Sequence, residues 1–239
     1  MGYSIKRLKP AKQRAHPDNA DRAEQSLISL LHAVDPYDGF DHEAYPNDLA
    51  GWGSDSEAFE KLVVSAQDPK LIIEVGTWKG GSAMTMANAL QKHNKSATIL
   101  CIDTWLGALE FWQNHQDPDR YGSLKLKNGY PSVYYQFLAN VCYAGHQGRI
   151  VPFPQTSATA ALFLRTHGIQ SELIYIDGSH EEEDVYQDLL DYWPLLTTGG
   201  TIFGDDYTWD GVRLAVTRFA KEQRLAITFE ADKWLLTKC

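Results

Sequence analysis

The sequence predicts an α/β protein built on a doubly wound, mainly parallel seven-stranded sheet with a C-terminal antiparallel hairpin. Three observations predict it. Beyond residue 56, short apolar runs alternate with longer amphipathic stretches, the pattern of strand and crossover helix. The last two apolar runs are separated only by Glu230 to Lys233, which leaves no room for a helix and calls for a hairpin. Four of the five core runs end in carboxylates, namely Glu74, Asp103, Asp177 and the pair Asp205–Asp206, a choice that core packing alone does not make.

The elements follow in order. Residues 1–22 form a basic arm, with Lys6, Arg7, Lys9, Lys12, Arg14 and Arg22 set against Asp18, Asp21 and, just beyond it, Glu24. No apolar h-region follows, so the arm is not a signal peptide; it reads as solvated and flexible, or as a partner-binding arm. Residues 23–55 hold a helix from Ala23 to Val34, with Leu27, Leu30 and Leu31 at helical spacing. They continue into a surface loop, 35–55, that is ordered because it carries Tyr37, Phe40, Tyr45 and Trp52.

Residues 56–239 form the α/β domain, opening with a helix over 56–66. Strands are expected at Leu71–Val75, Thr98–Ile102, Ile150–Phe153, Leu173–Ile176, Thr201–Phe203, Ala226–Phe229 and Trp234–Leu236. Helices are expected at Gly81–His93, Ser132–Ala144, Thr156–Thr166, Glu181–Leu195 and Gly211–Glu222. The stretch 105–149 is longer than a crossover needs and rich in aromatics; it is either a lid on the substrate or a packing and oligomer surface.

Composition bounds the function. With 239 residues, 44% of them hydrophobic, the chain can bury a core without a disulfide or a structural metal. A net charge of −9 argues against a nucleic-acid partner, and no apolar run approaches the ~18 residues of a membrane span. Cys101, Cys142 and Cys239 are an odd set without CxxC spacing, as expected for reduced thiols in a cytoplasmic protein. The expected partner is a small molecule, and a homo-oligomer remains open.

Ligands in such sheets bind beyond the carboxyl ends of the strands. Strand one leads into Glu74-Val75-Gly76-Thr77-Trp78-Lys79-Gly80-Gly81-Ser82, where Gly76 and Gly80 permit a tight turn and close approach of a ligand to a helix N-terminus. The spacing is neither the dinucleotide GxGxxG nor a P-loop. Asp103 ends strand two, where an acid can accept hydrogen bonds from both ribose hydroxyls; Thr104 adjoins it. A plain strand-to-helix turn and a loop carboxylate are the bland alternatives.

Strand four ends Asp177-Gly178-Ser179-His180, and strand five ends Asp205-Asp206-Tyr207. Ser179 and Glu182 have capping-box spacing, which makes His180 the first helical residue and turns Asp184, Asp188 and Asp191 to solvent. Three carboxylates at adjacent strand ends repel unless protonated or bound to a cation, and all-oxygen ligands suit Mg²⁺, Ca²⁺ or Mn²⁺. The metal candidates are therefore Asp177, Asp205 and Asp206, and Tyr207 and Trp209 beside them are substrate-contact candidates.

ExGxxxGxS followed by an acid ending strand two resembles the cofactor site of class I S-adenosylmethionine-dependent methyltransferases, over about residues 56–239. That resemblance implies a Rossmann-like methyltransferase fold. It also implies a cofactor site of Glu74, Gly76, Thr77, Gly80, Ser82, Asp103, Thr104 and Asp177, with Gln155, Thr156 and Ser157 near the adenine. Asp177, His180, Asp205 and Asp206 resemble the metal site of small-molecule O-methyltransferases. The catechol type usually has Lys at the His180 position. Asp-x-Ser-His with Asp-Asp is closer to the macrolide and aminocoumarin sugar O-methyltransferases and to cephalosporin-hydroxylase-like proteins. The implied function is methyl transfer to a sugar or vicinal-diol hydroxyl of a secondary metabolite. In it a divalent cation, Mg²⁺ by expectation, acidifies the hydroxyl while His180, with Asp177 beside it, serves as catalytic base. Trp105 and Trp112 are further candidates for substrate contact. The alternatives are a metal-dependent hydrolase, an NAD-linked oxidoreductase, or a cofactor-binding scaffold subunit without catalysis.

Overall fold

A computed structural model describes residues 27–113 and 115–239. The basic arm, the start of the helix expected from Ala23, and Asn114 lie outside the described residues. Seven strands form one sheet: β1 (Leu71–Val75), β2 (Thr98–Asp103), β3 (Ile150–Pro154), β4 (Ser171–Ile176), β5 (Leu196–Gly204), β6 (Thr228–Glu230) and β7 (Lys233–Thr237). Their order is β3-β2-β1-β4-β5-β7-β6. The pairs from β3 through β5 are parallel, whereas β7 runs antiparallel to both β5 and β6.

The parallel strands are covered on both faces, so β1 is buried at every position. The period of two sorts its side chains: Leu71, Ile73 and Val75 enter one core and Ile72 the other. The first core is closed by α6 (Ser157–Thr166), α7 (Glu182–Tyr192) and α8 (Asp210–Gln223), with the short α1 (Leu27–Leu31) packed at its edge. The second is closed by α2 (Glu57–Ser65), α3 (Gly81–Lys92) and α5 (Val133–Ala144). In it Phe59 meets Tyr175 edge-on, with centroids 5.1 Å apart, and Tyr175 stacks on Phe203 at 4.8 Å. Such pairs add about 0.5–1.5 kcal/mol each beyond the area they bury. They also fix the ring whose hydroxyl reaches the site.

Differences from expectation have local causes. β5 begins five residues before Thr201, because its Thr197–Gly200 stretch lacks the apolar signature of a strand. A short helix, α4 (Pro118–Ser123), forms where Pro118 occupies its first position and Asp117 accepts the Arg120 N–H at 2.9 Å. Within 105–149, α5 is the crossover helix itself, so the extra material is confined to its front. Ser179 does not cap α7: its hydroxyl accepts the Glu181 N–H and donates to Asp184, and the helix starts at Glu182. His180 therefore stands in the turn before the helix. The acidic face of α7 is also not wholly solvated, because Asp188 is buried against Ser157.

The chain leaves β1 toward β2 and β3 on one side, and returns to β4 and β5 on the other. The crevice beyond the β1 and β4 ends is thus the switch point of the sheet, where a ligand has access to both halves.

Candidate active site

The carboxylates predicted at the strand ends do gather at this rim, but the structure gives them different work. Glu74 is fully buried below the turn, bonded by Ser82 and by the Cys101 thiol at 3.4 Å. Burial pushes its pKa up to about 8, so it is a neutral acid at pH 7 and does not line the cavity. Asp103 reaches the cavity while tying two loops together: it accepts the N–H groups of Thr77 (2.9 Å), Trp78 (2.7 Å) and Trp105 (2.7 Å). Gly76 has φ +83°, and a Cβ there would lie 2.5 Å from the Asp177 carbonyl carbon and from Gly178 Cα. Its first necessity is therefore the close approach of the β1 and β4 ends, rather than room for a ligand. Gly80 is the left-handed N-cap of α3 and also stands off the cavity, where Met84 and Phe137 crowd it.

At the β4 and β5 ends, donor atoms of Asp177, His180 and Asp206 lie within 4.8 Å of one another. Tyr175 donates its hydroxyl to Asp177 at 2.9 Å. Burial, reinforced by the charge of Asp205, raises the Asp177 pKa to about 7. His180 Nε2 bonds Asp206 at 2.9 Å, and this partner raises the imidazole pKa above its ordinary value. The His180 ring stacks on Trp209 with centroids 4.5 Å apart, while its Nδ1 faces Glu110 at 3.7 Å. Asp206 holds this position with φ +57°, a left-handed conformation that Asp tolerates better than most residues.

Asp205 does not join them. Its Oδ1 accepts the Asp206 N–H at 2.8 Å and its Oδ2 accepts Lys233 Nζ at 2.6 Å. The expected three-carboxylate set is replaced by two carboxylates and one imidazole.

One continuous cavity of about 770 Å³ joins this cluster to the glycine turn. Along it lie Gly76, Thr77, Ser82, Asp103, Thr104, Gln155, Thr156, Ser157, Asp177, His180, Asp205, Asp206 and Trp209. The buried Asp188 carboxyl, raised to about 6 by burial, closes the end beside Ser157. Three predicted substrate contacts fall elsewhere. Trp105 is core, donating its indole N–H to the Trp78 carbonyl at 2.7 Å. Tyr207 packs edge-on against Phe229, away from the cavity. Trp112 bonds the Leu106 carbonyl and stays outside the lining.

Sequence reasoning missed the 49–54 part of the roof. Leu49 to Ser54, expected to be a surface loop, forms one wall; Gly107, Ala108, Glu110, Phe111 and Arg120 form another. The Arg120 guanidinium lies 4.9 Å over the Trp52 ring, and Phe111 packs 4.5 Å from Trp78, so the two segments meet above the crevice. The 49–54 strap is anchored by Asp48, which pairs with the buried Lys79 at 2.8 Å and with Lys125 at 3.1 Å. Burial alone would raise the Asp48 pKa, but the two lysines hold it down at about 2. The density of aromatics in 35–55 was the available signal; nothing in the sequence said that they fold inward.

One feature tests whether a polar cofactor fits. The first turn of α3, whose Gly81 and Ser82 line the cavity, has no side-chain cap, which leaves N–H groups there for a polar ligand. Thr77 Oγ1 does not add to them, because it is buried toward the core thiol of Cys101. Asp177, His180 and Asp206 fit a divalent cation: two hard oxygens with one imidazole suit Mn²⁺ at least as well as Mg²⁺.

Fold and site together define a Rossmann-like α/β protein of methyltransferase architecture, its ligand crevice at the carboxyl edge of the sheet. Residues 73–207, more than half of the chain, match the family model of a methyltransferase domain, and the chain belongs to that family. The fold is shared with the O-methyltransferase NovP (TM-score 0.53, 19% identity, covering 76% of this chain and 78% of that one). It is shared with CalS11, a calicheamicin methyltransferase (0.55, 19%, 76% and 76%). It is also shared with TomG, an O-methyltransferase of tomaymycin synthesis from Streptomyces achromogenes solved with S-adenosylmethionine (0.53, 14%, 80% and 83%). No curated protein matches the sequence at a significant level. Among the described residues, no helix is long and apolar enough to cross a membrane.

Proposed function

We propose that this protein transfers the methyl group of S-adenosylmethionine to a hydroxyl of a small, ring-bearing molecule, with a divalent cation at Asp177, His180 and Asp206. The observation that carries this reading is the single cavity running from the uncapped start of α3, past Asp103, to the Asp–His–Asp cluster. At about 770 Å³ it has the volume for a nucleoside cofactor and a small acceptor.

In this reading Asp103, with Oδ2 taken by the Thr77 and Trp78 N–H groups and Oδ1 half used by Trp105, keeps one lone pair for a ribose hydroxyl. The N–H groups at the α3 N-terminus, that of Ser82 among them, receive the carboxylate of the methionine moiety with Thr77 beside it, and Gln155, Thr156 and Ser157 border the base. The cation, when bound, acidifies the acceptor hydroxyl by several pKa units. His180, oriented by Asp206 and clamped flat by Trp209, would hold the cation through its one imidazole lone pair and so would not also be the base; the hydroxyl proton would pass to a carboxylate of the cluster, a general-base contribution of about 10²- to 10⁴-fold. Trp52, Phe111 and Arg120 cover the ring and keep water from the sulfonium, and positioning the acceptor oxygen in line with the methyl carbon supplies the remainder.

The likenesses to CalS11, a calicheamicin methyltransferase, and TomG, an O-methyltransferase of tomaymycin synthesis, agree with a natural-product hydroxyl as acceptor. Calorimetric titration with S-adenosylmethionine, with and without Mg²⁺ or Mn²⁺, followed by a methyl-transfer screen of glycosides and polyphenols, tests the proposal. Absence of cofactor binding refutes it.

A further inference from the structure

Beneath the carboxylate rim sits a charge that the proposed chemistry does not use. Lys233, at the first position of β7, has no exposed surface. Its ammonium donates to Asp205 Oδ2 and to Asp232 Oδ2, each at 2.6 Å, and to the Gly53 carbonyl at 3.4 Å, and it lies 5.4 Å from the Phe59 ring centroid. Asp232 is bonded in turn by Ser56, the N-cap of α2. Asp205 has further partners beside the lysine. Its Oδ1 takes the Asp206 N–H, its carbonyl takes the Trp234 indole N–H at 2.8 Å, and any side chain at Gly53 would run into its Oδ2. A lysine wholly withdrawn from water persists only when its charge is matched and its three protons are used, and here all three are.

We propose that Lys233 is a built-in cation that claims Asp205 and removes it from the donor set, leaving the divalent ion to Asp177, His180 and Asp206. The inference rests on the cation reading above for its consequence, and on the buried Lys233–Asp205 pair for its substance. The lysine acts as a positioning residue. Through the Gly53 carbonyl it also ties the Asp205 turn to the strap over the cavity.

The test is Mn²⁺ titration of the full chain by calorimetry, with circular dichroism as the check on folding. Asp206→Asn is expected to weaken Mn²⁺ binding by about tenfold or more, whereas Asp205→Asn costs no more than about threefold. Lys233→Met frees a buried carboxylate beside the cluster and is expected to tighten Mn²⁺ binding by about tenfold, a gain that misfolding cannot mimic. The double variant Lys233→Met/Asp205→Asn, which deletes a neutral pair as a unit, is expected to return to within about threefold of wild type. Asp205→Asn weakening the ion as much as Asp206→Asn, or Lys233→Met giving no gain, overturns the proposal. Should Lys233→Met fail to fold, the comparison of Asp205→Asn with Asp206→Asn decides alone. A wild-type chain that binds no Mn²⁺ removes the cation from the proposed function. Lys233→Met that then binds Mn²⁺ only while Asp205 is present still supports the lysine's role, and one that binds none refutes it.

Discussion

Gly76→Ala is the substitution whose cost the structure states most directly. Gly76 adopts φ +83°, where an L-side chain costs roughly 1–2 kcal/mol. The added methyl carbon would also sit 2.5 Å from Asp177 C and Gly178 Cα, and closer still to the Asp177 carbonyl oxygen. These are backbone atoms of a neighbouring strand end. They yield only if β1 and β4 part, an overpacking penalty of about 1–3 kcal/mol. Together the destabilisation should reach about 2–5 kcal/mol, a large share of the ~5–15 kcal/mol typical of a domain. In a chain of this size that lowers Tm by about 5–15 °C.

Gly80→Ala is the control. Its φ of +86° carries the same backbone cost, but its Cβ would meet the ends of two side chains, Met84 Cε and Phe137 Cδ2, each at 2.9 Å. It should therefore lose less. Urea denaturation of both variants, read as the midpoint at unchanged m-value, measures the difference. If Gly76→Ala keeps the wild-type midpoint and loses only cofactor affinity, the close approach of the strands is not what requires glycine, and the reasoning fails.

Other outcomes follow from the site. His180→Ala should cut methyl transfer by about 10²-fold or more while calorimetric S-adenosylmethionine affinity stays within about twofold, because the imidazole lies at the acceptor end of the cavity. Glu74 has a folded pKa of about 8 against an ordinary 4.5, so the folded state keeps a proton that the unfolded chain releases between those values. Its contribution makes stability fall as pH rises across that window and level off above it. Glu74→Gln should flatten this part of the Tm–pH profile; an unchanged slope would place the carboxyl in its ionised form at neutral pH. Asp48→Ala strands the buried Lys79 and should cost about 3 kcal/mol, with faster proteolytic cleavage near residues 49–54 as the local readout. Trp52→Ala should raise the acceptor KM by about tenfold without changing cofactor affinity, since the ring roofs the crevice from the strap.

Much of the fold was legible because its signals are local. The β1 run Leu71–Val75 and the closing hairpin each announce themselves through a period or a spacing, and both fall within a residue or two of expectation. The front of β5 was not legible, because Thr197–Gly200 pairs without an apolar face to declare it. The strap was hidden for a different reason. Trp52 and Ser54 reach the cavity only because Asp48 finds Lys79 and Lys125, partners 31 and 77 residues away, and periodicity carries no trace of such pairings. Tyr207 shows the reverse error: it stands next to Asp206 in sequence, but past the end of β5 the left-handed Asp206 turns the chain and Tyr207 packs on Phe229.

The acids illustrate where sequence reading of a site stops. Glu74, Asp103, Asp177, Asp205 and Asp206 look alike as strand-terminal carboxylates, and repulsion among the last three is what calls for a shared cation in the sequence. The structure settles the charge separately at each position. Glu74 is neutralised by burial, Asp103 is held by three backbone N–H groups, and Asp205 is matched by Lys233. What remains in need of a counter-charge is the Asp177–Asp206 pair, and His180 already supplies one bond to it. The demand for metal at this rim is therefore smaller than the count of carboxylates implies. That ordering makes a measurable statement: removing Lys233 should increase the appetite for a divalent ion, whereas removing Glu74 should not. A Glu74→Gln variant that changed Mn²⁺ affinity by more than about threefold would show that the acids act as one pooled charge, and that their separate partners do not decide which of them meets the ion.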